Sequence, residues 1–205
     1  MTELEELYNK IYSDVESKNP KTFIDIYEAN KTLIESADTS VANPDRDGIM
    51  RLTSDYALFL SQYGSYKKSI PYLDKAIQLF KDSSFDDLTK LTMYETLVWT
   101  RGVENYNQKN YKAAAQDFKY LVDNYPDNDK YKNWLSGAKT IQTKKRLNYI
   151  WMAVFITIFI EAMTSRNNQP LLKNYLLCLA IILFTIAIII EIFIWLTRYR
   201  IKQKR

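Results

Sequence analysis

Along the first 143 residues, apolar positions recur at helical spacing, and no stretch alternates with the two-residue period of a half-buried strand. Leu4, Leu7, Tyr8, Ile11, Tyr12 and Val15 fall on one helical face. Asn19 followed by Pro20 predicts a capped helix start, and the apolar side of that helix carries Phe23, Ile26, Tyr27, Asn30, Leu33 and Ile34. These two helices form a first antiparallel pair over residues 1–43, closed by the polar stretch SADTSVANPDRDG. Ile49, Leu52, Tyr56, Phe59 and Leu60 predict a helix ending at Gly64, and Ile70, Leu73, Ala76, Ile77 and Phe80 predict its partner. A third pair runs from about Asp86 to Lys109 and from Tyr111 to Asn124, stopping at Pro126. Asp127 then reads as the cap of a closing helix over 129–143, with Tyr131, Trp134, Leu135, Ala138 and Ile141 on one face. Between Asn128 and Gln169 there is no proline, so that helix is free to run on.

The pattern changes beyond residue 144. Leu147 to Met163 and Asn174 to Leu196 are apolar all the way round, which removes the polar face that a soluble surface helix needs. The second run, of 23 residues, is long enough to cross a ~30 Å hydrocarbon core. The first, of 17, is at the lower limit for a span, and by length alone a buried or interfacial helix also fits it. The expected arrangement is a two-span membrane hairpin over 144–205, with spans 147–164 and 174–197. Asn167, Asn168 and Pro170 lie in the short turn between them, followed by a basic tail.

Charge sharpens this division. The 205 residues carry a net charge of +4, yet residues 1–143 hold 18 basic against 22 acidic side chains and residues 144–205 hold 10 against 2. A basic, apolar end behind a mildly acidic body points to membrane lipid as a partner and away from nucleic acid. Lys144, Lys145 and Arg146 precede the first span, and Arg198, Arg200, Lys202, Lys204 and Arg205 follow the second, against Arg166 and Lys173 in the loop. By the positive-inside rule both termini are expected in the cytoplasm, with Tyr149, Trp151, Trp195 and Tyr199 as interfacial anchors. The acidic, amphipathic start MTELEELYNK has no secretory character, so the first 143 residues are expected in the cytosol. The localisation this predicts is an integral, multi-pass membrane protein, in the inner or plasma membrane if the source is bacterial.

Histidine is absent, and Cys178 is the single cysteine. The commonest acid–base catalyst, His-containing metal sites and intramolecular disulfides are thereby excluded. No nucleophile–base pair, glycine-rich phosphate loop or metal-ligand cluster is legible either, so no enzyme activity, catalytic residue, metal or cofactor is expected. Two carboxylates, Glu161 and Glu191, fall inside the apolar runs. One reading has each snorkel to its nearer interface; the other has them line a pore in a homo-oligomer assembled through the hairpin. Cys178 reads as a small apolar residue.

The strongest long-range signal is internal repetition. DYALFLSQYGSYKKSIPYLDKAIQLFK from Asp55 and RGVENYNQKNYKAAAQDFKYLVDNYP from Arg101 share a small residue (Ala57, Gly102) nine positions before an aromatic (Tyr66, Tyr111). Both continue with a small residue (Ser69, Ala114), a large one (Leu73, Phe118) and an apolar pair (Ala76–Ile77, Leu121–Val122). This ladder resembles the tetratricopeptide (TPR) repeat, a helix–turn–helix unit that stacks into arrays. The resemblance implies an all-α fold: a cytosolic array over 1–143, with a degenerate first pair at 1–43, two repeats at 44–128 and the closing helix at 129–143, followed by the membrane hairpin. Two departures stand out. The turn aromatics lie 45 residues apart where the repeat length is 34, and Arg101 occupies a position that is usually a core leucine.

The resemblance further implies a binding groove on the first helix of each pair. Transferred residue by residue, it falls on Ser54, Leu58, Ser61 and Gln62 in one repeat and on Trp99, Val103, Tyr106 and Asn107 in the other. The Lys, Arg and Asn that grip a terminal carboxylate in chaperone-type members are missing there, so an apolar or aromatic segment of a protein or peptide partner suits Leu58, Trp99, Val103 and Tyr106 better. Coverage of those four by the N-terminal pair is the competing arrangement. A membrane-tethered scaffold that recruits or assembles a partner, and an oligomeric membrane effector whose array senses one, are the two functions these features allow.

Overall fold

The computed structural model describes residues 2–14, 19–40, 43, 45–82, 88–164 and 170–203. Val15, the start near Asp86, Arg166, Asn167, Asn168, Lys204 and Arg205 lie outside the described residues. Every regular element among those described is helical: α1 (Glu3–Ser13), α2 (Pro20–Ala29), α3 (Lys31–Ser36), α4 (Arg46–Gln62), α5 (Tyr66–Lys81), α6 (Leu88–Asn107), α7 (Tyr111–Asn124), α8 (Asp129–Thr164) and α9 (Pro170–Gln203). The chain divides into two compact units, Met1–Leu135 and Ser136–Arg205.

In the first unit, local chemistry sets the helix ends. The Thr2 hydroxyl accepts the Glu5 N–H at 3.1 Å, and the acidic first turn of α1 suits the positive end of the helix dipole. Asn19 caps α2 by accepting the Lys21 N–H at 2.9 Å, with Pro20 in the first turn where it loses no hydrogen bond. The single helix expected over residues 20–34 is broken at Asn30. The Asn30 amide donates to the Ile26 carbonyl at 2.9 Å, and its backbone (φ −111°, ψ 16°) leaves the helix, a local bond competing with the ladder. Asp127 is not the cap of the closing helix: the Asn128 side chain accepts the Lys130 and Tyr131 N–H groups at 3.1 and 3.4 Å, so that helix begins one residue later than Asp127 would set it.

The two helix pairs α4–α5 and α6–α7 close with the same turn, displaced by 45 residues. Ser65 donates to Leu60 at 2.9 Å and Gly64 to Ser61 at 2.9 Å; Asn110 donates to Asn105 at 2.8 Å and Lys109 to Tyr106 at 3.0 Å. These are the paired bonds of a Schellman helix end, which needs a left-handed residue just past the helix. Gly64 supplies it with φ 72°, and Lys109 adopts it with φ 64° despite its side chain.

The core of this unit is aromatic toward its N-terminal side. Tyr27 stacks on Tyr56 with ring centres 3.8 Å apart, and Phe23 meets Phe59 edge-on at 5.0 Å, which joins α2 to α4. The Tyr12 hydroxyl donates to Asp55 at 2.6 Å, tying α1 to α4. Arg46, almost fully buried, donates to the Leu79 carbonyl at 2.7 Å and to the Thr39 carbonyl, satisfying a carbonyl in the last turn of α5.

The second unit contains two helical stretches long and apolar enough to cross a membrane. Large side chains stand exposed along both, including Phe155, Phe159, Ile189 and Phe193 at 65–68%.

Candidate functional site

The groove positions pair off at the same 45-residue displacement: Ser54 with Trp99, Leu58 with Val103, Ser61 with Tyr106, Gln62 with Asn107. The structure does not treat the partners alike. Ser54 is fully buried and donates to the Met50 carbonyl at 2.7 Å. Trp99 is half-buried in an aromatic cluster, 5.5 Å from Phe118, 5.3 Å from Tyr131 and 5.5 Å from Trp134, with the Lys130 ammonium 4.0 Å above its ring. Tyr106 joins the same cluster through Tyr111 at 5.2 Å and Trp134 at 5.1 Å. The cover over Trp99 and Tyr106 therefore comes from the start of α8 and from α7, where the sequence suggested the N-terminal pair. Leu58 and Val103 are half-buried, and Gln62 and Asn107 are exposed at the ends of their helices.

Between the two helix pairs lies a polar seam that the sequence reading touched only through Arg101. Its guanidinium forms a two-pronged bond to Asp117 of α7 at 3.0 and 2.5 Å, and a further bond to Asp74 of α5 at 2.6 Å. One residue turn further on, Glu104 is 1% exposed; its Oε2 accepts the Ser69 hydroxyl of α5 at 2.5 Å, while Oε1 is buried without a hydrogen-bond partner. Burial pushes the Glu104 carboxyl above its ordinary range, opposed by the Ser61 and Ser69 hydroxyls. Ser61 thus serves the helix-pair interface in addition to edging the expected groove.

A hollow of about 460 Å³ that the sequence did not suggest is lined by Lys31, Glu35, Lys68, Pro71, Tyr72 and Lys75. Glu28 pairs with Lys68 at 2.5 Å and Glu35 with Lys31 at 3.8 Å, so most of its charge is already neutralised. Among the described residues, no three His, Cys, Asp or Glu side chains gather as they would around a metal ion.

In the second unit, the inward-facing residues of α9 are Leu176, Ala180, Leu183, Ala187, Ile190 and Ile194, alternating four and three apart. On α8 they are Leu147, Ile150, Val154, Thr157 and Glu161, with the same alternation. This is the seven-residue period of a left-handed helix seam, with the small residues Ala180 and Ala187 on it. Leu147, Ala187 and Ile194 share one cluster with Ile150, Trp151 and Ile190, and Trp151 meets Phe184 edge-on at 5.6 Å. The two carboxylates are consequently unlike. Glu161 is half-buried on the seam stripe, while Glu191 flanks it and is exposed. Cys178 is exposed on the outer side.

No protein-family model, curated protein or solved structure matches the chain, so its own geometry carries the functional reading.

Proposed function

We propose that this chain is a membrane-anchored adaptor: a TPR-like cytosolic array that recruits a protein or peptide partner, held at the cytoplasmic face by a two-span hairpin with both termini on that face. The observation that carries the reading is the contrast between the two units. The first buries most of its described large apolar side chains, Leu88 and Tyr63 being exceptions, whereas the second displays Phe155, Phe159, Ile189 and Phe193 to its surroundings, a surface that hydrocarbon solvates and water does not. Leu58, Gln62, Val103 and Asn107 remain as the repeated, accessible positions for a partner segment.

The test uses the full chain extracted from membranes in mild detergent, with partners identified by mass spectrometry for the natural chain and for Leu58→Ala/Val103→Ala. Loss of a specific partner with no more than a small drop in melting temperature supports the groove. Retention of the same partners would move recruitment to another face.

Exposure of Glu191 favours a second reading, an oligomeric effector, because a carboxylate turned away from its own hairpin is costly in hydrocarbon unless another copy shields it. In that arrangement the purified chain conducts cations in liposomes and Glu191→Gln abolishes the conductance; in the adaptor it conducts nothing.

A further inference from the structure

The hollow of about 460 Å³ between α3 and α5 departs from the repeat plan around it. On α5 its wall is Lys68, Pro71, Tyr72 and Lys75, the i, i+3, i+4, i+7 stripe of one helix face. Shifted by 45 residues, the same stripe on α7 is Ala113, Gln116, Asp117 and Tyr120, with no cation and no proline. Pro71 lies inside α5, where it cannot donate a ladder bond to the Lys67 carbonyl, and it stands exposed, so it fills no core in return. Packing of the core explains neither Pro71 nor Lys75.

The ion pairs around the hollow leave one cation over. Lys68 is held by Glu28 at 2.5 Å, and Lys31 lies 3.8 Å from Glu35, a loose contact between side chains 40% and 35% exposed. Glu35 also accepts the Tyr72 hydroxyl at 2.8 Å. Lys75, half-buried at the end of the stripe, makes no hydrogen bond or ion pair among the described residues. Three ammonium groups against two carboxylates leave a net charge of +1, which one further carboxylate balances and a phosphate dianion would overshoot. The rings of Pro71 and Tyr72 offer apolar surface beside that charge. Because Lys68 and Pro71 are exposed, the hollow does not enclose a free small molecule as a closed pocket does. A side chain carried by a longer segment suits it better, since the rest of that segment finds its contacts outside.

We infer that the α3–α5 hollow binds the acidic side chain of a peptide segment, an Asp or Glu flanked by apolar residues, with Lys75 and Lys31 on the carboxylate and Pro71 and Tyr72 against the flanking residues. This rests on the adaptor reading, to whose partner it gives a charge-selective contact in addition to the one at Leu58 and Val103. The contact is electrostatic, so it weakens as salt shortens the Debye length.

The test uses the full chain in an uncharged detergent and the peptide Ala-Leu-Glu-Leu-Ala, amidated at its C-terminus and carrying a neutral coumarin at its N-terminus, with binding read by fluorescence anisotropy. Replacing the peptide's Glu by Gln, or Lys75→Gln in the protein, should each weaken binding by about tenfold, the worth of one charge-assisted hydrogen bond. Lys75→Arg should retain it. Lys75→Gln should also keep the natural melting temperature, which separates a lost ligand from disturbed folding. Leu58→Ala/Val103→Ala should bind this peptide as the natural chain does. Equal binding of the Glu and Gln peptides, or undiminished binding by Lys75→Gln, would overturn the site, and loss of binding in Leu58→Ala/Val103→Ala alone would overturn it by moving the peptide to the groove. Competition by free 4-methylpentanoate as strong as by the unlabelled peptide would overturn the assignment to a peptide segment. The adaptor reading fails separately, in the mass-spectrometric comparison above, which does not involve Lys75.

Discussion

The pairs α4–α5 and α6–α7 share one turn geometry and differ in almost everything packed around it. Where the first pair places Tyr56 and Phe59, stacked on Tyr27 and edge-on to Phe23, the second places Arg101 and Glu104, bonded to Asp74, Asp117 and Ser69. Where the first has a buried Ala57, the second uses Gly102, because a Cβ there would stand 2.8 Å from the Phe118 ring. The backbone plan is thus kept by two turn bonds and a small residue, while the material between helices ranges from stacked rings to buried ions. The lesson is that a repeat is defined by spacing and close approach, and its fillings are free to specialise.

The largest effect is expected where the pairs diverge most, at Ser54 and Trp99. Trp99→Ala removes a ring in contact with Phe118, Tyr131 and Trp134 and should cost about 3–5 kcal/mol, read as a sharp fall in melting temperature. A variant that keeps its stability while losing a partner would return Trp99 to the groove.

Gly102→Ala comes next. In an exposed helix the change would stabilise by up to ~1 kcal/mol, but here the added methyl must displace Phe118, and net destabilisation of about 1–3 kcal/mol by overpacking is expected in thermal unfolding. A gain in stability would show that α6 and α7 are not held at this separation.

Glu104→Gln should stabilise by about 1 kcal/mol at neutral pH, since it removes a buried charge and leaves a group able to bond Ser69. The folded-state carboxyl titrates above its unfolded value of 4.5, so the natural protein loses stability from this group as pH rises through that window. The glutamine variant does not, and its advantage should grow from acid toward neutral pH. An advantage independent of pH would assign the effect to packing.

The smallest expected change is a gain of about 0.5–1 kcal/mol for Lys109→Gly, measured by denaturant unfolding, because the left-handed backbone there no longer carries a Cβ. Matching Gly64 in this way would make the two turns chemically equal as well as geometrically so.

How far the sequence reveals this plan depends on the range of the cause. Helix positions, both turns and the two apolar runs follow from periodicity and from local signals such as Asn19–Pro20 and Gly64. The break at Asn30 and the Asn128 cap escaped because each is decided by one side-chain bond that a neighbouring polar residue, such as Asp127, imitates equally well. The cover over Trp99 escaped for a different reason: it depends on where the first turns of α8 return, which no spacing within α6 specifies. The seam along α9 was present as Ala180 and Ala187 seven apart, a signal masked by a run in which every neighbour is apolar too. Glu104 gave no sign, since its burial is set by Ser69 across the helix-pair interface.

The adaptor reading stands on the second unit forming two spans with both ends of the chain in the cytoplasm. Reporter fusions at residue 1 and at residue 205, scored for sidedness in the same membrane, measure this most directly. The account predicts that both report the cytoplasmic side; opposite sidedness of the two ends would leave a single span, place one terminus across the membrane and contradict the hairpin anchor.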